Sequence, residues 1–216
     1  MDPISFDYRT DDWNNLQVLH RGCLPPRPFY CGYPTLQAAA AFDRFQSGNC
    51  TLLNGMWKFL GCACPHDAPQ GFMLPEFDDS GWGCMPVPGH WQLNGFDTPH
   101  YTDATALFPI QADPCVPAEN PTGLYRTHFS WSGQGECLLR FDGVESAYHL
   151  WVNGQPVGYS EGSRLTAEFD VSPYVRQGEN LLALRVYKFC TGSYLENQDM
   201  WWLAGVIRDV SLIRRP

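Results

Sequence analysis

Carboxylates, amides and aromatic rings are concentrated in one short stretch near the C-terminal end of the chain, GSYLENQDMWW at residues 192–202. Here Glu196 and Asp199 stand beside Trp201 and Trp202, with hardly a basic residue near them. A solvated loop has no need of the tryptophans, and a buried strand does not tolerate the carboxylates. Carboxylates accept hydrogen bonds from hydroxyl groups, and flat rings pack against apolar C–H faces. The combination is typical of a site that binds a sugar.

Two roles are open for the carboxylates of this stretch. Glu196 and Asp199 are three residues apart, so a helical segment could bring them together as a catalytic pair. No other feature of the sequence builds a cleft around them, and a polar turn before a strand is the simpler interpretation. Strand alternation also predicts that at most one of Trp201 and Trp202 faces outward while the other is buried. We therefore expect this stretch to bind and not to catalyse.

The composition favours an all-β protein. Of the 216 residues, 14% are aromatic and 17% are charged, and 20 Gly with 18 Pro give 38 turn-forming residues. Many turns, many aromatic rings and few charges are typical of a β-sandwich and not of a helical bundle. The net charge of −9 argues against nucleic acid as a partner, since phosphates attract clusters of Lys and Arg. No apolar run reaches the roughly 18 residues that a membrane helix needs.

The cysteines indicate a reducing environment. Nine cysteines are an odd number, and the N-terminal sequence MDPISFDYRT lacks the basic and apolar regions of a secretory signal. Cys62 and Cys64 have no second pair and no His partner at a spacing suited to zinc. We therefore predict free thiols in a cytoplasmic protein.

The chain divides into an arm and a domain. Residues 1–50 are irregular and rich in proline, and TLQAAAAFDRF within them predicts a short helix with Thr35 as its N-cap. We interpret this part as an arm that lies across a domain. Residues 51–216 form the domain itself, in which residues 97–123 are a long loop broken by prolines. Loops of that length in a compact domain are usually functional or disordered, and Tyr101 favours order here.

Short strands follow one another at regular spacing from Gly123 onward. Seven segments of about five to ten residues alternate with turn residues. An Asn-Gly pair in VNGQ, residues 152–155, predicts a hairpin between two of them. These signals predict an antiparallel all-β sandwich. In the strand before the hairpin, alternation assigns Tyr148, Leu150 and Val152 to one face and Ala147, His149 and Trp151 to the other.

Longer stretches of the sequence resemble a known family. The run FDGVESAYHLWVNGQPVGYSEGSRLTAEFDVSPYVRQGENLLALRVYKF, followed by GSYLENQDMWWLAGVIRDVSL, resembles the N-terminal sugar-binding domain of family 2 glycoside hydrolases. Within that family, the similarity is to the large bacterial β-galactosidases. It extends back through ENPTGLYR, PGHWQLNGFDTPHYTD and LNGMWKF to DWNN and LPPRP in the arm. The resemblance therefore covers essentially the whole chain.

The resemblance implies an antiparallel jelly-roll β-sandwich of the galactose-binding type, preceded by an irregular N-terminal arm. Such a domain leans on a catalytic (β/α)8 barrel and contributes one wall of the galactose pocket. The acid of the QDMW motif, here Asp199, contacts sugar hydroxyls in the family and helps to hold a sodium ion. We expect Tyr101 to line the same pocket. Asp103 stands where the family commonly has a sugar-contacting asparagine, so this chain keeps the acceptor and loses the NH2 donor.

A magnesium site is also implied by the resemblance. Some family members bind Mg²⁺ through an Asp and an Asn of the arm, with further ligands from the sandwich and the barrel. Asp12, Asn15 and Glu161 stand at matching positions, and hard oxygen ligands suit Mg²⁺. The acid expected before GSYLE is Thr191 in this chain. We expect no cofactor in the isolated chain, and Na⁺ and Mg²⁺ only in the full-length enzyme.

The resemblance places the catalytic residues outside this sequence. Retaining glycosidases use two carboxylates about 5–5.5 Å apart, and in the family both glutamates come from the barrel, which would begin after Pro216. We therefore expect a full-length, homo-oligomeric enzyme that hydrolyses terminal β-D-galactosides, and an isolated chain that is inactive. A stand-alone, lectin-like module that binds sugar without hydrolysis is the alternative, and a purely structural assembly domain is the third hypothesis.

Overall fold

The computed structural model describes residues 11–102, 105, 108–109, 116–196 and 198–215. Within these residues the chain consists mainly of short strands, and no described helix is long and apolar enough to cross a membrane. The α-helices are α1, Leu36–Ala40, and α2, Ser193–Glu196, and short 3-10 turns occur at Asp12–Asn14, Arg44–Ser47, Pro65–Asp67 and Gln92–Asn94. The strands are β1, His20–Arg21; β2, Cys50–Leu52; β3, Gly55–Cys62; β4, Gly83–Val87; β5, His100–Tyr101; β6, Thr122–Trp131; β7, Glu136–Phe141; β8, Val144–Glu145; β9, Ala147–Val152; β10, Gln155–Glu161; β11, Ala167–Asp170; β12, Gly178–Tyr187; β13, Trp201–Trp202; β14, Gly205–Val206; and β15, Val210–Arg215.

Two antiparallel sheets form the body of the fold. The larger sheet has seven strands in the order β1-β10-β9-β12-β6-β3-β4, and the smaller has four in the order β11-β7-β15-β2. Side chains of both sheets share one buried core, among them Trp57, Tyr125 and Leu150 of the larger sheet. The smaller sheet contributes Leu139 and Phe169. Because the inner faces of two sheets pack on each other, the predicted antiparallel all-β sandwich is confirmed.

The two edges of the larger sheet are short or carry proline. At one edge, β1 has two residues, and His20 and Arg21 lie opposite Ser160 and Tyr159 of β10. At the other edge, β4 contains Pro86, whose nitrogen cannot donate a hydrogen bond to a neighbouring strand. The sequence did not predict β1, which makes part of the arm a strand of the sandwich.

Both faces of the central strands are buried. The predicted alternation of β9 is confirmed, because Tyr148 and Leu150 face the core between the sheets while Trp151 belongs to a separate cluster on the other face. Phe72, from the loop between β3 and β4, packs edge-on against Trp151 with ring centroids 5.4 Å apart. His149, on the same face as Trp151, is fully buried. Loops and the arm therefore cover a face that the sequence pattern leaves open to solvent.

Residues of the arm hold it to the sandwich. Trp13 is 4% exposed and stacks on Tyr187 of β12, with ring centroids 5.9 Å apart. Arg27 pairs with Glu168 of β11, and its Nε lies 2.7 Å from Oε2. The described part of the arm is thus bound by both aromatic stacking and an ion pair. The predicted division at residue 50 falls inside β2 and stays a prediction.

Two local predictions from the sequence are confirmed. The N-cap of α1 is Thr35, whose hydroxyl oxygen accepts a hydrogen bond from the N–H of Ala38. The hairpin between β9 and β10 turns at Asn153 and Gly154, with φ values of 51° and 80°. Positive φ at both positions is the geometry of a type I′ turn, which Asn-Gly favours.

The eight cysteines in the described residues are all free thiols. Cys115, the ninth, lies outside those residues. Burial raises the pKa of Cys137 to about 12 and that of Cys62 to about 11, so these thiols stay protonated and poorly nucleophilic.

Gly123 of β6 leaves no room for a larger residue. A Cβ atom there would lie 2.5 Å from Cζ2 of Trp91 and 2.8 Å from Cε2 of Phe59. Both rings are buried and cannot give way, so we expect Gly123→Ala to lower the free energy of unfolding by about 1–3 kcal/mol, measured by urea denaturation. Gly81→Ala is the matched control, because nothing lies within 4 Å of a Cβ at Gly81. Equal losses in the two variants would contradict this account.

Candidate functional site

Tyr101, Asp199 and Trp201 come together at the surface and are called the rim site below. β5 and β13 pair as a two-stranded sheet in which Trp201 lies opposite Tyr101 and Trp202 lies opposite His100. The Tyr101 hydroxyl donates a hydrogen bond to Oδ1 of Asp199. The rings of Tyr101 and Trp201 lie 5.6 Å apart and are tilted by 48°. The structure thus brings into contact two residues that are 98 positions apart in the sequence.

The two tryptophans of this stretch have different environments. Trp201 is 58% exposed, whereas Trp202 is 4% exposed and packs in a cluster with Phe189. Strand alternation accounts for the difference, and the prediction that at most one of them faces outward is confirmed. Tyr101 is 50% exposed, so the rim site presents two accessible aromatic rings beside one carboxylate.

Asp199 is exposed, and one of its two carboxylate oxygens accepts a hydrogen bond. Oδ1 accepts from Tyr101, and within the described residues Oδ2 has no protein partner. The hydrogen bond to Asp199 raises the pKa of Tyr101, because ionising the phenol would place two negative charges side by side. Tyr101 is therefore a donor at neutral pH, and Oδ2 is available to accept from a hydroxyl group or to bind a cation.

The turn that carries Asp199 follows directly from α2. Gln198 donates its backbone N–H to the carbonyl of Glu196, and Met200 donates to that of Gln198, at 2.9 and 2.7 Å. The Glu196 carboxylate accepts from the hydroxyl of Ser163 at 2.5 Å. Glu196 and Asp199 thus accept hydrogen bonds from different hydroxyl groups, those of Ser163 and Tyr101, and not from a shared partner.

The third predicted sugar contact, Asp103, lies outside the described residues. Its role therefore stays a prediction. Tyr101, two positions earlier, is the last residue of β5.

Asp12 of the predicted magnesium set is engaged in ion pairs. Asp12 is 2% exposed, and its carboxylate accepts hydrogen bonds from Nε and Nη2 of Arg21 at 2.7 and 2.9 Å. His149 Nε2 lies 3.1 Å from Oδ2 of the same carboxylate. Burial opposes ionisation of Asp12, but the bonds from His149 and Arg21 outweigh it and hold the pKa of Asp12 well below its usual range. Arg21 therefore already supplies the positive charge that a metal ion would bring.

The other two members of the set, Glu161 and Asn15, also accept hydrogen bonds within the chain. Glu161 accepts from the Tyr159 hydroxyl at 2.6 Å and from Thr191 at 3.1 Å, and Asn15 Oδ1 accepts from the backbone of Gln17. Among the described residues, no three His, Cys, Asp or Glu side chains are grouped as metal ligands. Mg²⁺ takes oxygen ligands, and in this structure oxygens of Asp12, Glu161 and Asn15 already accept hydrogen bonds from other groups of the protein. The magnesium site stays a prediction.

Behind the rim site lies a buried charge that the sequence analysis did not single out. The ammonium of Lys188, which is 1% exposed, lies 3.0 Å from Nδ1 of His100, the residue before Tyr101. In the sequence, the burial of Lys188 is indicated only by its position directly after the mostly apolar segment LLALRVY, where a turn residue such as Gly or Asn would be usual.

A second unpredicted pair touches the turn of Asp199. Glu145 is 4% exposed, and its Oε1 lies 2.9 Å from Nη2 of Arg164. The same Nη2 lies 3.2 Å from Sδ of Met200. Burial raises the pKa of Glu145 to about 7, although the charge of Arg164 acts in the opposite direction. A carboxyl group with a pKa of about 7 is thus connected through Arg164 to Met200, the residue between Asp199 and Trp201 in the sequence.

The raised pKa of Glu145 makes its contribution to stability depend on pH. Its pKa is higher in the folded protein than the ordinary 4.5, so the stability it contributes is complete below about pH 4.5 and is lost as the pH rises through about 7. This difference corresponds to roughly 3 kcal/mol. We expect Glu145→Gln to lose less stability than the wild type between pH 5 and pH 8, as measured by urea denaturation. Glu136→Gln, at a carboxylate that is 56% exposed, is the control; identical pH profiles for wild type and Glu145→Gln would exclude this role.

The sequence and the fold both match known proteins. Residues 50–216 match the family model described as glycosyl hydrolases family 2, sugar binding domain. A β-galactosidase from Vibrio cholerae is 44% identical over 210 residues, which are 96% of this chain and 20% of that protein. A β-galactosidase from Enterobacter cloacae is 46% identical over 181 residues, 82% of this chain and 17% of its own length. The chain thus spans about a fifth of the length of these relatives.

Solved structures show the same fold at lower identity. A β-glucuronidase from Bacteroides uniformis superposes with a TM-score of 0.58 at 23% identity, over 77% of this chain and 18% of that one. A β-glucuronidase from Bifidobacterium dentium superposes with a TM-score of 0.57 at 19% identity, over 77% of this chain and 30% of the other. At these identities the structures support the fold alone. Because the family model covers residues 50–216, the chain belongs to glycosyl hydrolase family 2 and contains its sugar-binding domain.

Proposed function

We propose that this chain is the sugar-binding part of a longer β-galactosidase, and that the rim site forms one wall of its galactoside pocket. The observation that carries the proposal is the contact between Tyr101 and Asp199 beside the exposed ring of Trp201. It joins a fixed hydrogen-bond acceptor to two accessible aromatic faces, which are the two features that a sugar ring requires. The 44% identity to β-galactosidases over 96% of the chain supports the choice of a galactoside.

The rim site would act by positioning the sugar. The hydrogen bond from Tyr101 to Oδ1 fixes the orientation of the Asp199 carboxylate. Oδ2 would then accept a hydrogen bond from a hydroxyl group of the sugar. Oδ2 would also hold the sodium ion that the resemblance implies, and the ion would supply positive charge for orienting hydroxyl oxygens. The rings of Tyr101 and Trp201 would cover C–H groups of the sugar. Together these contacts would present the glycosidic bond in near-attack geometry.

Catalysis would be supplied by the remainder of the polypeptide. Retaining glycosidases need an acid/base and a nucleophile about 5–5.5 Å apart. In this chain Asp199 binds Tyr101 and Glu196 binds Ser163, so neither is arranged as part of such a pair. We propose that the two glutamates come from a (β/α)8 barrel, and that this chain alone does not turn over substrate. Exposed Leu36 and Phe42, at 91% and 93%, suit contacts with other domains or subunits of a homo-oligomer.

One observation favours the lectin-like alternative. Tyr101 and Trp201 form an accessible aromatic pair within this chain, without a contribution from a barrel. A free-standing module would use such a pair to bind sugar without hydrolysis. The size of the native polypeptide, measured in source cells with an antibody to this chain, separates the two functions. A polypeptide several times longer supports the enzyme, and one of about 216 residues supports the module.

We expect Asp199→Asn in the full-length enzyme to lower kcat/KM for a galactoside by about 10- to 100-fold. The amide keeps the shape of the side chain but removes the negative charge that strengthens a bond to a hydroxyl group. Steady-state kinetics with a nitrophenyl galactoside measure the effect. Asp67→Asn, at an exposed carboxylate outside the rim site, is the control. Unchanged kinetics in Asp199→Asn would refute the proposed role of the rim site.

A further inference from the structure

The ammonium of Lys188 is buried and bound by one short segment of the chain. It donates to the carboxylate of Asp97, to the carbonyl of Thr98 at 3.3 Å and to Nδ1 of His100 at 3.0 Å. A buried ammonium is costly unless its N–H groups are satisfied, and the three acceptors found among the described residues come from residues 97–100. Movement of this segment would therefore leave a buried charge without partners.

Asp97 is held in a backbone conformation that few side chains adopt. Its φ is 65°, in the left-handed region, where Asp is tolerated better than most residues but still at a cost. Two side chains converge on its Oδ2, namely Lys188 and Gln92, whose Nε2 lies 2.6 Å away. Strained residues persist where their surroundings over-determine them, and they concentrate at functional sites.

Gln92 connects this network to the chain just after β13. Its Oε1 accepts from the backbone N–H of Ala204 at 2.9 Å. Ala204 comes two residues after Trp202, the last residue of β13, and Asp97 comes three residues before His100, the first residue of β5. The same buried charge is therefore linked to both strands whose pairing brings Tyr101 to Asp199.

Hydrogen bonds to the sandwich fix the backbone at Lys188. Its backbone N–H donates to the carbonyl of Pro121 at 3.0 Å, and its carbonyl accepts from the hydroxyl of Ser146 at 2.7 Å. Asn120 makes two hydrogen bonds to the backbone of Phe189, at 2.8 and 2.9 Å. The position of the ammonium is thus fixed from the sandwich side, and the loop segment must adapt to it.

We propose that Lys188 is a positioning residue for the rim site: through Asp97 and Gln92 it holds β5 against β13 and so keeps the Tyr101 hydroxyl on Asp199. This inference deepens the proposed function and rests on it only for the consequence for sugar binding. The contact between Tyr101 and Asp199 can be measured without any sugar.

The test is the titration of Tyr101 in the isolated chain, followed by NMR of ring-labelled tyrosine. Asp199 raises the pKa of Tyr101, so Asp199→Asn should return it toward the ordinary value of 10. We expect Lys188→Met to lower the pKa of Tyr101 in the same direction. Simple loss of a nearby positive charge would raise a phenol pKa, so the two explanations predict opposite signs.

A matched variant controls for general destabilisation. Arg126→Met also removes a buried cation, since Arg126 is 3% exposed and its Nε lies 2.6 Å from Asp79. It should leave the pKa of Tyr101 unchanged. The double variant Lys188→Met, Asp97→Asn removes the ammonium together with its carboxylate partner, so neither charge is left unpaired, and asparagine tolerates a positive φ. It keeps the test valid if Lys188→Met alone does not fold.

The outcomes separate the inference from the proposed function. A lowered pKa of Tyr101 in Lys188→Met or in the double variant, but not in Arg126→Met, supports the positioning role. An unchanged or raised pKa in the variants at Lys188 overturns it. In the full-length enzyme, the positioning role predicts that kcat/KM for a galactoside falls about 10- to 100-fold in the same variants. A lowered pKa with unchanged kcat/KM would keep the positioning role and refute the proposed function of the rim site.

Discussion

The antiparallel ladder between β6 and β12 is the interaction on which the rest of the fold depends. It joins ten residue pairs at the centre of the larger sheet, from Gly178 and Trp131 at one end to Tyr187 and Thr122 at the other. The second end delivers the residues that support the rim site, because Lys188 follows Tyr187 and Asn120 shortly precedes Thr122. A long regular ladder has little freedom to bend, so it provides a firm base from which short irregular segments can be placed.

Features of the fold that depend on neighbouring residues could be predicted from the sequence. The Asn153-Gly154 turn, the Thr35 cap and the alternation of β9 each follow from local backbone chemistry, and each is present. The pairing of β5 with β13 could not be predicted in this way, since two-residue strands have no period and their partners are far apart in the chain. Asp199 was named as a sugar contact through the resemblance, whereas its hydrogen bond with Tyr101 could be found only in the structure.

The composition gives the number of charged residues but not how many of them are buried. Only 17% of the residues are charged, yet Asp12, Arg126, Glu161 and Lys188 are all less than a tenth exposed. Such groups are stable only when several partners surround them, and those partners come from distant parts of the chain. The sequence shows the isolated lysine after an apolar strand but not its acceptors, which explains why Lys188 could not be singled out from the sequence. Asp12 and Glu161 were named only through the resemblance to the family.

The short and proline-containing edges of the larger sheet have a consequence for the chain in solution. An open edge strand presents unpaired N–H and C=O groups to which another molecule can add a strand, and long flat edges of this kind lead to aggregation. β1 offers only two residues, and Arg21 places a charge on one of them, while Pro86 interrupts the donors of β4. The sandwich is therefore protected against edge-to-edge polymerisation at both ends of its larger sheet, which lets it expose aromatic rings at the rim without joining other copies through its strands.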